Sequence, residues 1–146
     1  MTSKVFFSFF MLCFFACTSV LAQTPIGRWK TIDDETGKPK SIMKIWEDKG
    51  KLYGVVEQLF REPNEDQDPI CDKCTDYRKN KKIKGMILLS GLSKSGKEWS
   101  GGTITDPNNG KTYSCYISME SPDKLKVRGY IGVSALGRTQ YWHRVK

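Results

Sequence analysis

The stretch Glu98–Tyr116, EWSGGTITDPNNGKTYSCY, leaves the chain little conformational choice. Trp99–Asp106 and Lys111–Ser118 read as two antiparallel strands folded on Asp106-Pro107-Asn108-Asn109-Gly110. Asp106 can accept a hydrogen bond from the backbone two residues on. Pro107 presets φ for the turn, and Asn109 or Gly110 supplies the left-handed residue that lets the chain leave in register. Gly101-Gly102 falls inside the first of these strands, where paired glycines mark a bend or a close approach of a neighbouring strand.

The rest of the chain repeats this grammar. Strands are expected at Gly27–Ile32, Ser41–Glu47, Leu52–Leu59, Gly85–Leu92, Lys124–Ile131 and Thr139–Arg144, in addition to the two of the hairpin. Turn clusters separate them: Asp33–Gly37, Asp48–Lys51 with Gly50, Lys94–Lys97 with Gly96, and Ser121-Pro122-Asp123. Along the third strand, alternation places Leu52, Gly54, Val56 and Gln58 on one face. Arg61–Lys82 breaks the pattern. It holds Pro63 and Pro69, is rich in acidic residues before Tyr77, and ends in the basic run Arg78–Lys82. A loop of that length in a small domain is usually functional or mobile. There is no internal repeat and no amphipathic helical period. About eight short strands at roughly 8–12-residue spacing imply an all-β fold. Short meander connections favour a single antiparallel barrel, which also removes exposed sheet edges.

Residues 1–22 read as a signal peptide: Lys4, a Phe-rich apolar run over Val5–Ala16, and Val20-Leu21-Ala22 ahead of cleavage before Gln23. The run is shorter than the roughly 18–20 apolar residues a bilayer span needs. An uncleaved anchor, or lipidation at Cys17, are the alternatives. Residues 23–146 then form one exported domain, periplasmic or secreted, with no transmembrane segment in the mature chain. The formal net charge is +8, and Lys4 is the only charged residue of 1–22, so 23–146 carry +7. The basic excess suits a solvated exterior or an anionic envelope surface; the sequence shows no interleaved aromatic and basic pattern that points to nucleic acid.

Of five cysteines, Cys13 and Cys17 fall in the leader and Cys71, Cys74 and Cys115 remain. Cys71-Asp72-Lys73-Cys74 is read first as a local disulfide pinning the long loop. The alternatives are a redox pair, a zinc site shared with Cys115 and His143, and pairing of Cys115 with a loop cysteine. Cys115 alternates with Tyr113, Ile117 and Met119 on the more apolar face of its strand and reads as a small buried residue. A catalytic Cys115–His143 pair is a weaker reading, because the lone histidine lies near the far terminus. No carboxylate pair and no phosphate-cradling glycine loop stands out, so no catalytic residue and no cofactor is assigned. Aromatic residues are the richer signal. In an eight-strand barrel the interior either fills with side chains or holds one small ligand. Trp29, Tyr53, Trp99, Tyr113 and Tyr130 are therefore candidates to line a site, with Arg128 available for an acidic head group.

Together these motifs resemble the bacterial domain-of-unknown-function family numbered 2147. The resemblance is carried by Gly27–Asp34, Lys51–Gly54, Cys71–Cys74, Trp99–Ile104 with Asp106-Pro107, Gly110–Tyr113, Leu125–Tyr130, and Arg138-Thr139-Gln140 with Trp142 and Arg144. It implies an exported, uncharacterised protein with a small lipocalin-like barrel. Independently, Gly27-Arg28-Trp29 and Arg144 resemble the lipocalin pattern of Gly-x-Trp on the first strand and an Arg near the last. That resemblance implies Arg144 stacked on Trp29 as a closure of the barrel base. The expected function is non-enzymatic binding of a small apolar or amphipathic molecule, with Arg61–Lys82 as a lid. The alternatives are an envelope interaction module with a packed core, and a thiol- or metal-dependent enzyme using Cys71 and Cys74.

Overall fold

A computed structural model describes residues 23–146. The expected leader, with its cleavage site and Cys17, lies outside the described residues. Eight strands follow in order: β1 (Gly27–Ile32), β2 (Pro39–Asp48), β3 (Lys51–Leu59), β4 (Ile87–Ser95), β5 (Glu98–Asp106), β6 (Lys111–Ser121), β7 (Lys124–Tyr130) and β8 (Gly137–Arg144). Each pairs antiparallel with the next, and β8 returns to β1, closing the barrel that the turn spacing implies.

The turns form as their residues dictate. At the β5–β6 turn, Asn108 N donates to Asp106 Oδ1 at 2.9 Å and Gly110 N donates to the Asp106 carbonyl at 2.8 Å. Gly110 takes the left-handed conformation, φ 73°, and its position leaves no choice of residue: a Cβ there would lie 1.9 Å from the Lys73 carbonyl oxygen. β4 starts later and runs further than its apolar residues suggest. Gly85 still belongs to the loop, donating to the Val56 carbonyl, while Ser93, Lys94 and Ser95 pair with Ser100, Trp99 and Glu98.

Inward positions follow from burial and pairing. Trp29 faces Met43, which faces Val56; Ile45 faces Gly54, which faces Leu89; Ile117 lies between Trp99 and Val127; Leu125 faces Trp142. Trp29, Leu52, Leu89, Leu92, Cys115, Ile117 and Leu125 are each 0% exposed. An eight-strand barrel is just wide enough for its own side chains, and this one is filled along its axis. Burying an apolar side chain of this size contributes roughly 1.5–3 kcal/mol, so the plug supplies much of the stability.

Five of the eight ladders carry register shifts, and two of these shifts bear on residues singled out in the sequence. The β2–β3 register shifts between Ile42 and Met43, placing Glu57 as an extra residue on β3. Gln58 therefore leaves the face of Leu52, Gly54 and Val56 and is exposed, contrary to simple alternation. The second bulge lies between Trp99 and Gly102 on β5, where Gly101 has φ 78°. Gly102 lies against β4 so closely that a Cβ would stand 2.3 Å from the Ser90 carbonyl oxygen.

The long β3–β4 connection, expected as a lid, lies at the barrel end that carries the β1–β2 and β5–β6 turns and is packed down there. It meets the β1–β2 turn through Lys38 and Glu62, β3 through Gly85 and Met86 on Val56, and also β4 and the β5–β6 turn. Arg78 is buried and donates from Nε to the Ile87 carbonyl at 3.0 Å, with Asp76 as its ion-pair partner. Cys71 Sγ lies 3.5 Å from the Pro107 carbonyl oxygen. Cys71 and Cys74 form a disulfide, both are buried, and they join the apolar cluster that includes Met86 and Leu88.

Candidate functional site

At the base of the barrel Arg144 holds the β6–β7 turn and the N-terminal segment together. Its Nε donates to the Pro122 carbonyl at 2.8 Å, and its two terminal nitrogens donate to the carbonyls of Ile26 at 3.1 Å and Thr24 at 2.8 Å. Its guanidinium carbon stands 4.2 Å from the centroid of the Trp29 ring. Trp29 Nε1 donates to the Pro25 carbonyl at 2.8 Å, which folds the N-terminal segment across the opening. Gly27 has φ 134°, and a Cβ there would lie 2.7 Å from the Arg144 guanidinium, so the Gly-x-Trp spacing makes room for the arginine. Trp29 is consumed by this closure and by the core.

Beside that closure is a hollow of about 290 Å³. Its lining includes Trp99, Met119 and Pro25, with Lys94 and Lys97 among the polar residues. Trp99 reaches it from the base end of β5, because the tight Gly96 turn brings Lys94 opposite Trp99. The Lys94 ammonium lies 5.3 Å from the Trp99 ring centroid. Neither Lys94 nor Lys97 has a carboxylate partner among the described residues. The lining combines apolar Pro25, Trp99 and Met119 with basic Lys94 and Lys97, a composition that suits an anion carrying a hydrocarbon portion. A second hollow, on the outer wall near Lys44, Val55, Glu57 and Lys82, is wide and shallow.

The opposite end is braced by polar side chains. Arg138 pairs with Asp34, Gln140 Nε2 donates to the same Asp34 oxygen at 3.0 Å, and Trp142 Nε1 donates to Gln140 Oε1 at 3.4 Å. Burial opposes the Asp34 charge, but the hydrogen bonds from Gln140 and Arg138 outweigh it and hold the carboxyl below its usual range. The same carboxylate raises Arg138, against a smaller burial effect. In sequence Asp34 reads as a turn residue only; its partners lie more than a hundred positions away, and no local pattern announces them.

The remaining candidates divide by face. Tyr113 faces inward at the braced end, opposite Ile104, with Asn109 Nδ2 donating to its hydroxyl at 2.9 Å. Tyr53, Arg128 and Tyr130 do not line the interior. Tyr53 alternates with buried Leu52 and stacks outside on Trp46, ring centroids 5.7 Å apart. Tyr130 pairs with Tyr116 on the outer wall, centroids 6.4 Å apart. Arg128, between buried Val127 and inward Gly129, turns out and up to the β7–β8 loop, donating to the carbonyls of Ser134 and Ala135 and to Thr139 Oγ1. The six candidates are thus not brought together: Trp99 alone reaches the base hollow.

The thiol chemistry is equally divided. Cys115 is the free cysteine among the described residues, and burial pushes its thiol up to about 12. It faces inward, whereas His143 faces outward opposite Lys30 and Lys124, so the two do not form a pair. Among the described residues no group of three or more His, Cys, Asp or Glu side chains is placed to hold a metal ion, and no helix is long and apolar enough to cross a membrane.

Comparison with known proteins bears on the fold and the family. No curated protein matches the chain. Among solved structures it is similar to one described as "Protein HP1028 from the human pathogen Helicobacter pylori belongs to the lipocalin family". The two share 22% identity and a TM-score of 0.70, over 83% of this chain and 82% of that one. That likeness establishes a lipocalin-like barrel. The profile of the family described as "Uncharacterized protein conserved in bacteria (DUF2147)" matches residues 27–144, the whole barrel from β1 to β8, and the chain belongs to that family.

Proposed function

We propose that the protein is an exported, non-enzymatic binding protein for a small amphipathic molecule with an acidic head, taken at the base hollow. The observation that carries this reading is the hollow of about 290 Å³ bordered by Trp99 and Met119, with Lys94 and Lys97 lacking carboxylate partners. Its size, at the lower end of ligand sites, suits a short hydrocarbon chain rather than a large lipid. The Cys71–Cys74 disulfide and the leader-like residues 1–22 support export to an oxidising compartment. Native mass spectrometry of the protein purified from its own host tests the proposal. A co-purified acidic mass that disappears in Lys94→Ala/Lys97→Ala is expected; a bare protein mass from fresh host material sinks it.

The filled interior favours a second reading, an interaction module with a packed core. Under it the base hollow binds nothing, and the outer wall is the working surface.

A further inference from the structure

The β7–β8 loop, residues 131–136, presents its apolar side chains to solvent. Ile131 is 64% exposed, Val133 60% and Leu136 75%. Such exposure invites aggregation unless something covers it. The loop is nevertheless built. Arg128 donates to the carbonyls of Ser134 at 2.7 Å and Ala135 at 3.2 Å, and Leu136 N donates to the Val133 carbonyl at 3.0 Å. Backbone groups at the tip are thereby supplied with partners from within the protein, which lowers the cost of moving the tip out of water.

The wall that carries this loop is basic. The outward side chains of β7 are Lys124, Lys126, Arg128 and Tyr130; those of β8 are Thr139, Tyr141 and His143; those of β1 are Arg28, Lys30 and Ile32. No carboxylate stands among them, and among the described residues Arg28 alone of these has a carboxylate partner, Glu57 of β3. The cross-strand neighbours Lys124, His143 and Lys30 form one row across the seam, and Lys126 and Tyr141 form the next. The Lys124 ammonium lies 4.4 Å from the Tyr141 ring centroid and the Lys126 ammonium 5.7 Å from that of Tyr116. Tyrosines flanked by lysines, on the strands that carry a protruding apolar tip, are what an interfacial surface requires.

We infer that this wall and loop dock the barrel on an anionic phospholipid surface, the tip entering the headgroup region while Lys124, Lys126 and Lys30 meet lipid phosphates. Neither signal suffices alone: one short apolar insertion binds weakly, and a few lysines are screened within about a Debye length. One side of the barrel carries both: the tip joins β7 to β8, the same two strands whose outward lysines and tyrosines form the wall. The inference is independent of the base hollow, which lies beside β4, β5 and β6.

Residues 23–146, which hold the complete barrel, are incubated with vesicles of phosphatidylglycerol and phosphatidylcholine, or of phosphatidylcholine alone, and sedimented. Binding to the anionic vesicles is expected, at least about tenfold tighter than to the neutral ones and weakened by about 0.5 M salt. Lys124→Gln and Lys126→Gln are each expected to weaken it by roughly fivefold. Ile131→Ser/Val133→Ser/Leu136→Ser is expected to weaken it by at least about tenfold. All the substituted side chains lie outside the core, and an unchanged thermal midpoint confirms the fold of each variant. Absence of binding to the anionic vesicles, equal binding to neutral ones, or undiminished binding by the triple-serine variant overturns the inference. So does a dimer that the triple-serine variant converts to monomer, since a second copy would then be what covers the loop.

Discussion

Removing Arg144 is the most informative single perturbation of this barrel. Arg144→Ala deletes a guanidinium that stacks 4.2 Å from the Trp29 ring and donates to Pro122, Ile26 and Thr24. A half-desolvated cation–π contact contributes about 1 kcal/mol. Charge-assisted hydrogen bonds to carbonyls contribute about 1.5–3 kcal/mol when shielded, but water replaces them at this partly open base, so about 0.5 kcal/mol each is the appropriate figure. The sum is about 2–3 kcal/mol, which for a domain of this length lowers Tm by roughly 6–15 °C. Arg144→Lys keeps the charge and loses the planar fork, and is expected to recover less than half of the loss. Urea titration by circular dichroism gives the free energy. Acrylamide quenching reports whether Trp29, 0% exposed in the intact base, becomes accessible. The closure also predicts coupling. Gly27→Ala places a Cβ 2.7 Å from the Arg144 guanidinium, so its cost should fall by about 1 kcal/mol in the Arg144→Ala background. An Arg144→Ala protein melting within about 2 °C of the parent, with no gain in quenching, would refute the closure as an energetic element.

Three further outcomes are expected. Cys71→Ser/Cys74→Ser opens a loop closed over a sequence separation of only 3, so chain entropy limits the loss to about 2 kcal/mol; limited proteolysis should cut near the loop while circular dichroism retains the barrel. Because the Asp34 carboxyl is lowered in the folded state, its contribution to stability is complete above its unfolded value near 3.8 and is lost as pH falls through the lower folded value. Asp34→Asn should therefore remove part of the acid-side decline in a pH series of urea midpoints, and an unchanged series would deny the Arg138–Asp34–Gln140 brace any linkage role. The Cys115 thiol, buried and pushed up to about 12, should resist a neutral-pH disulfide reagent until denaturant is added, and rapid labelling of the native protein would contradict its burial.

The barrel was legible because its signals are local. Asp-Pro-Asn-Asn-Gly, Lys49-Gly50 and Gly96 set the hairpins, and period-two alternation set the strands between them. The base was legible for a different reason: Gly27, Trp29 and Arg144 carry a three-part pattern whose glycine has a steric purpose that the structure shows directly. Side-chain direction was harder. Tyr53 and Tyr113 look alike in sequence, yet one is outside and one inside. Single-residue bulges at Glu57 and Gly101 reset alternation without any compositional mark strong enough to place them. The base hollow was invisible except for Trp99, since Lys94 and Lys97 read as ordinary turn residues. The basic wall was hidden for the same reason. Lys30, Lys124, Lys126 and His143 are scattered along the chain and become neighbours only through the pairing of β1, β8 and β7.

The β1–β8 seam has a consequence in time as well as in space. It is registered through Trp29 opposite Arg144 and Lys30 opposite His143, a much shorter ladder than any other pair of neighbouring strands makes. It also joins strands from opposite ends of the chain, whereas every other ladder joins strands consecutive in sequence. Local hairpins can therefore form early, and the loop-closure entropy of nearly the whole domain falls on this last ladder. A chain delivered N-terminus first, from a ribosome or across a membrane, cannot complete its barrel until β8 has arrived. Kinetics should show it: Arg144→Ala is expected to speed unfolding far more than it slows folding, with a φ-value near zero. A φ-value near one would place the seam in the folding nucleus and reverse that order.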